Sequence, residues 1–143
     1  MSFGFLYEVE NSARDFLTEC VSKAEWYDAL GELHIENSPS CNAEESIPAW
    51  ELALKEVPGP LARLFIGELR AETDEFDDPS VVFLDADLVK SIAGEIEKNG
   101  KSFFESLLKE VGCDADSWLF EPMYQFFNVA AGRNKAAIIL WGG

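Results

Sequence analysis

The sequence predicts an α+β fold: a small mixed β-sheet packed with several α-helices, mostly helical, in a single domain spanning residues 1–143. Three observations predict it. An aromatic alternation opens the chain, an Ile-rich apolar run closes it, and several capped helical periodicities lie between them. The order strand, helices, strand, helices, strand favours a small sheet with packed helices over a regular βαβ alternation.

Phe3, Phe5 and Tyr7 alternate with Gly4 and Leu6, which predicts a first strand at residues 2–9. Asn11 or Ser12 is suited to cap the next helix, with Asp15 adding negative charge to its first turn. Phe16, Leu17, Cys20, Val21 and Ala24 share one helical face, continued by Trp26, Tyr27 and Leu30 after a break near Lys23. The polar stretch from His34 to Glu45 reads as a loop.

Ser46 has the position of an N-cap, because Pro48 fits only a first turn and Ile47, Trp50, Leu54 and Val57 follow at helical spacing. Pro58-Gly59-Pro60 ends that helix; Leu61, Leu64 and Phe65 begin a short one that Gly67 closes. Val81 to Leu84 reads as a buried strand, and Asp85 or Asp87 caps a helix with Leu88, Val89, Ile92 and Ile96 inward. Asn99-Gly100 stops it. Ser102 with Glu105 starts another helix, directing Phe103, Leu107, Leu108 and Val111 inward until Gly112. Pro122 sits in the first turn of a last helix carrying Met123, Phe126, Phe127 and Ala130, closed by Gly132. Lys135 to Trp141 reads as a final, central strand.

Composition bounds the function. A chain of 143 residues with 48% hydrophobic content has enough apolar volume for one packed core. Its net charge of −16 opposes nucleic-acid phosphates and anionic lipid head groups, and favours encounter with a basic protein partner. Cys20, Cys41 and Cys113 form no C-x-x-C pair, so buried free thiols in a reducing compartment are expected. The opening residues lack a basic lead and a long apolar core, unlike a signal peptide, and no run reaches membrane-span length. A cytoplasmic location is the expectation.

Motifs of catalysis are scarce. His34 is the only histidine and has Glu32 and Glu36 as sequence neighbours; an exposed, solvated ring is its commoner fate. The glycines form no phosphate-cradling motif. Asp74, Asp77 and Asp78, or Asp85 and Asp87, supply hard oxygens but lack a calcium-loop pattern, so no metal or other cofactor is expected. Trp26, Tyr27, Trp50, Trp118 and Phe126 fall mostly at core spacing, whereas Trp118 and Trp141 lie near loops or chain ends, where a tryptophan can anchor a partner.

The stretches IPAWELALKEV, GPLARLFIGE, DPSVVFLDADLVKSIAGEIEKNGKSFFESLL and MYQFFNVAAGRNKAAIILWG, from Ser46 onward, resemble the YfbM-like family of small bacterial proteins of undefined function. The resemblance implies a Trp-containing helix, a Pro-Leu turn, a strand leading to a capped helix pair, and a last helix feeding a terminal strand. It carries no catalytic residues across.

Two functions fit these readings. The first is a non-catalytic acidic binding protein, most concretely an immunity protein that occupies a cognate secreted toxin, since many toxic enzymes present basic clefts. Its expected contact residues are Glu68, Glu72, Asp74, Glu75, Asp77 and Asp78, a self-repelling acidic stretch with Phe76 as an apolar anchor. The second is a small enzyme or ligand sensor with a pocket at the end of the sheet, using Asp85, His34 or a helix end.

Overall fold

The computed structural model describes residues 3–22, 38–67, 69–71 and 80–142. Strand β1 (Phe3–Val9) leads into α1 (Ala13–Ser22), followed by β2 (Ser40–Asn42), α2 (Ile47–Leu54) and a 3-10 turn at Pro60–Arg63. Then come β3 (Leu69–Ala71), β4 (Ser80–Leu84), α3 (Ala86–Glu110), a second 3-10 turn at Asp114–Leu119, α4 (Phe120–Gly132) and β5 (Ala136–Gly142). The strands form one sheet in the order β2-β1-β5-β4-β3. The α+β class holds, with β5 at the centre.

The expectation of a mixed sheet is corrected in one respect: among the described residues every strand pairing is antiparallel. β5 runs against both β1 and β4, with Leu6 opposite Ile139 and Val82 also opposite Ile139. The connection through α3 and α4 brings the chain back to the end of the sheet at which β4 finished, so β5 runs against β4, while β2 and β3, which share a direction, lie at opposite edges and do not pair.

Both faces of the sheet are covered, which explains why β4 and β5 read as continuous apolar runs rather than alternating ones. Leu6, Val82, Leu84, Ala137, Ile139 and Trp141 face the larger core, built with α2, α3, α4 and both 3-10 turns. Val81, Phe83, Ala136 and Ile138 face the other side, where Ala13 and Leu17 of α1 cover them. Trp141 is buried, so its expected role as an exposed anchor is corrected: as part of the central strand it packs edge-on against Phe65 at 6.1 Å.

Two strands lie where the sequence reads as loop or acidic tract. β2 occupies Ser40–Asn42 within the expected loop, directing Cys41 inward between two exposed neighbours. β3 occupies Leu69–Ala71 inside the acidic stretch and pairs with β4. Three residues are too few to display a period, and pairing with a long neighbour makes such a strand.

Capping also differs at two places. Asn11 does not cap α1 through its side chain; its Oδ1 accepts from the Ala86 backbone N–H at 2.9 Å, at the start of α3. Ser46 makes no side-chain cap bond to α2. Asp85 does cap α3, accepting from the Leu88 N–H at 2.8 Å. Within α3 the helical angles break at Gly100, φ +78°, where the sequence separates two helices. Phe104 and Leu108 are the fully buried members of the second half, with Phe103, Leu107 and Val111 packed half-buried beside them.

Candidate functional site

The expected contact residues Glu68, Glu72, Asp74, Glu75, Phe76, Asp77 and Asp78 lie outside the described residues, as do His34, Trp26 and Tyr27. Asp85 is described and is engaged in capping α3. The described surface holds two other places where side chains of different elements converge.

The first is built around Ser46 at the start of α2. Ile47 and Trp50 are drawn into the core, so Ser46 is buried, at 1% exposure, and must find partners for its hydroxyl. The 3-10 turn at Asp114–Leu119 supplies them. Ser46 Oγ donates to Asp116 Oδ1 at 2.7 Å and accepts from Trp118 Nε1 at 3.0 Å. Trp50 Nε1 donates to the Asp116 carbonyl oxygen at 2.8 Å. Beneath this network the Trp50, Phe104 and Phe120 rings pack in series, with centroids 5.7 and 5.5 Å apart.

Trp118 is therefore held at its N–H edge while its ring stays 42% exposed. Acidic residues accompany it in the chain and in the bonded network: Asp114 and Asp116 share its turn, Asp116 being joined to it through Ser46, and Glu44 and Glu45 immediately precede Ser46 in sequence. A fixed aromatic face bordered by negative charge suits a cationic side chain, which gains from the ring quadrupole and the carboxylates together. The place of Trp118 near a loop is visible in the sequence; its bond to Ser46 spans 72 residues and leaves no local signal.

The second place is a cleft of about 480 Å³ at the end of the sheet, where β1 leaves and β5 enters. It is lined by residues including Glu8, Val9, Ser12, Phe16, Ser38 and Arg133. Glu8 is 5% exposed and meets the Arg133 guanidinium at 3.4 Å, while Lys135 forms an ion pair with Glu10 at the rim. The ion pairs join the two sides of the β1–β5 ladder, consistent with the Glu8–Ala137 register.

Cys41, on β2 beside Leu6 of β1, is an inert thiol: burial pushes its pKa up to about 11. Among the described residues no group of three or more His, Cys, Asp or Glu side chains is placed to hold a metal ion. Among them, too, no helix is long and apolar enough to cross a membrane.

No family model matches the chain, and neither does any curated protein. Among solved structures it is similar to the crystal structure of YfbM from Escherichia coli, a protein of unknown function, with a TM-score of 0.66 and 13% identity. The likeness covers 97% of this chain and 99% of that one. The chain thus has a YfbM-like fold, in agreement with the resemblance of its sequence; at this identity the likeness speaks to fold alone.

Proposed function

We propose that the protein is a non-catalytic, acidic binding protein of the cytoplasm whose partner is a basic protein, most concretely a secreted toxin that it neutralises as an immunity protein. The observation that carries this reading is Trp118, exposed yet fixed by Ser46 and bordered by Asp114 and Asp116. Tryptophan is among the residues that dominate binding energy at interfaces, and one already held in place loses little further freedom on docking. The net charge of −16 supports the same reading by drawing a basic partner in and repelling nucleic acid and anionic membranes. The acidic stretch of Glu68, Glu72, Asp74, Glu75, Asp77 and Asp78, with Phe76, belongs to the same proposal as its steering element.

The test is recovery of the partner from the native cell on immobilised protein, with Trp118→Ala in parallel. A single basic protein, recovered stoichiometrically, released by salt and lost with Trp118→Ala, supports the proposal. A neutral partner whose binding ignores salt, or turnover of a substrate by the purified chain, sinks it. Changing Asp74, Glu75, Asp77 and Asp78 together to Asn or Gln is expected to slow association and flatten its salt dependence.

A second reading, a small-ligand sensor, is favoured by the Glu8–Arg133 cleft, which lies at the end of the sheet. Its signature is a small molecule that co-purifies with the protein and is lost on Arg133→Ala.

A further inference from the structure

The cleft at the end of the sheet holds a carboxylate whose bonding is incomplete. Glu8 lies two residues beyond Leu6 on β1, in the row that this strand turns toward the larger core, and it is 5% exposed. Its backbone N–H donates to the Pro39 carbonyl oxygen at 3.0 Å, which lays the approach to β2 alongside it. Among the described residues its side chain makes no hydrogen bond; its charged contact is Arg133 Nε, at 3.4 Å. A carboxylate has about four acceptor sites, and burying it is costly unless they are filled. Glu8 therefore lines the cleft with capacity to accept from a bound donor.

The opposite charge is available beside it. α4 ends in a Schellman turn, in which the Lys135 N–H donates to the Ala130 carbonyl oxygen and the Asn134 N–H to that of Ala131, with Asn134 at φ +58°. That turn fixes the backbone carrying Arg133 and Lys135. Lys135 is occupied by Glu10 at the rim, whereas Arg133 meets Glu8 through Nε, and no hydrogen bond among the described residues takes up its terminal nitrogens. Those nitrogens form a planar fork matched to a carboxylate.

Charge decides which ligand fits. A simple anion is opposed by Glu8 and by the net charge of −16, and a simple cation is opposed by Arg133. A molecule that carries both charges close together avoids both repulsions. An α-amino acid bears its ammonium and carboxylate on one carbon, which matches two opposite protein charges 3.4 Å apart. Val9, Phe16 and Pro39 add apolar lining for its side chain, and about 480 Å³ is ample for such a molecule.

We propose that this cleft binds a free α-amino acid with an apolar side chain, its carboxylate on the terminal nitrogens of Arg133 and its ammonium on Glu8. The proposal rests on the small-ligand sensor reading given above and names the ligand class that reading leaves open.

The experiment is isothermal titration calorimetry of the full chain with leucine and phenylalanine. Each is compared with the analogues that lack one charge: isoamylamine and phenethylamine without the carboxylate, isocaproate and hydrocinnamate without the ammonium. At least one amino acid is expected to bind, and its two analogues to bind about tenfold more weakly or worse. Glu8→Gln and Arg133→Gln, with folds verified by circular dichroism, are expected to weaken the amino acid to a similar extent. An analogue that binds as tightly as its parent amino acid overturns the proposal and leaves the sensor reading standing, as does co-purification of a different class of molecule that Arg133→Ala releases. Amino-acid binding indifferent to both Glu8→Gln and Arg133→Gln also overturns it, by placing the ligand elsewhere. A folded wild-type chain that binds none of the probes and brings no small molecule out of the cell ends the proposal and the sensor reading together.

Discussion

Ser46 and Asp116, 70 residues apart in sequence, are joined by a 2.7 Å hydrogen bond that ties the start of α2 to the 3-10 turn after α3. Because the same Ser46 oxygen accepts from Trp118, one buried hydroxyl both closes the fold and orients the ring at the candidate interface. Ser46→Ala is expected to lower stability by about 1–2 kcal/mol, since the Asp116 oxygen and Trp118 N–H both lose a protein partner. Denaturant unfolding measures the loss, and acrylamide quenching of the folded variant should rise as the indole is released. Unchanged quenching would show that Trp118 is held by packing alone.

Asn11 bridges α1 and α3 by accepting from the Ala86 N–H, one of the donors that a helix start leaves without an internal partner. Asn11→Ala should cost about 1 kcal/mol. Asn11→Asp keeps the acceptor oxygen beside the positive end of α3 and should unfold at nearly the wild-type urea concentration. Equal losses for both variants would refute the bridging role.

Gly67 and Gly100 both adopt positive φ, +63° and +78°, but for different surroundings. A Cβ at Gly67 would lie 2.3 Å from the Phe83 carbonyl oxygen, whereas one at Gly100 meets nothing within 4 Å. Gly100→Ala therefore bears only the backbone penalty, roughly 1–3 kcal/mol. Gly67→Ala adds a collision with backbone that cannot yield without parting β4 from its neighbours, and a loss of about 4 kcal/mol or more is expected. Thermal unfolding of the two variants side by side tests the ranking.

Cys41 should titrate late. Its pKa rises from 9.0 to about 11 because burial disfavours the thiolate. The unfolded chain loses this proton first, so the contribution is intact below pH 9.0 and is lost as pH climbs to about 11, amounting to ~3 kcal/mol. Cys41→Ala should flatten the stability profile in that window. At neutral pH the wild-type thiol should resist alkylation until the protein is unfolded.

Much of the scaffold was legible where a residue's task is local. The AAIILW run announced a strand buried on both faces, Asp85 announced its helix, and Gly100 marked the break in α3. Legibility failed where the task is set by a distant partner. Ser46 looks like a cap from its neighbours, yet the burial of Ile47 and Trp50 turns it toward Asp116. β2 and β3 exist through their pairing with β1 and β4, which no window of three residues can display. The Glu8–Arg133 contact joins the two ends of the described chain, so its cleft has no signature in either segment alone. Of the candidate interface, only the position of Trp118 was visible beforehand.

The central place of β5 has a consequence for synthesis. β1 and β4 both emerge from the ribosome before the strand that must lie between them. Until Ala136–Gly142 is translated, each presents a hydrogen-bonding edge and apolar residues with no native neighbour on that side. A nascent chain halted before that point is a substrate for chaperones and proteases, so an interrupted translation product should be cleared rather than accumulate as a partly working molecule.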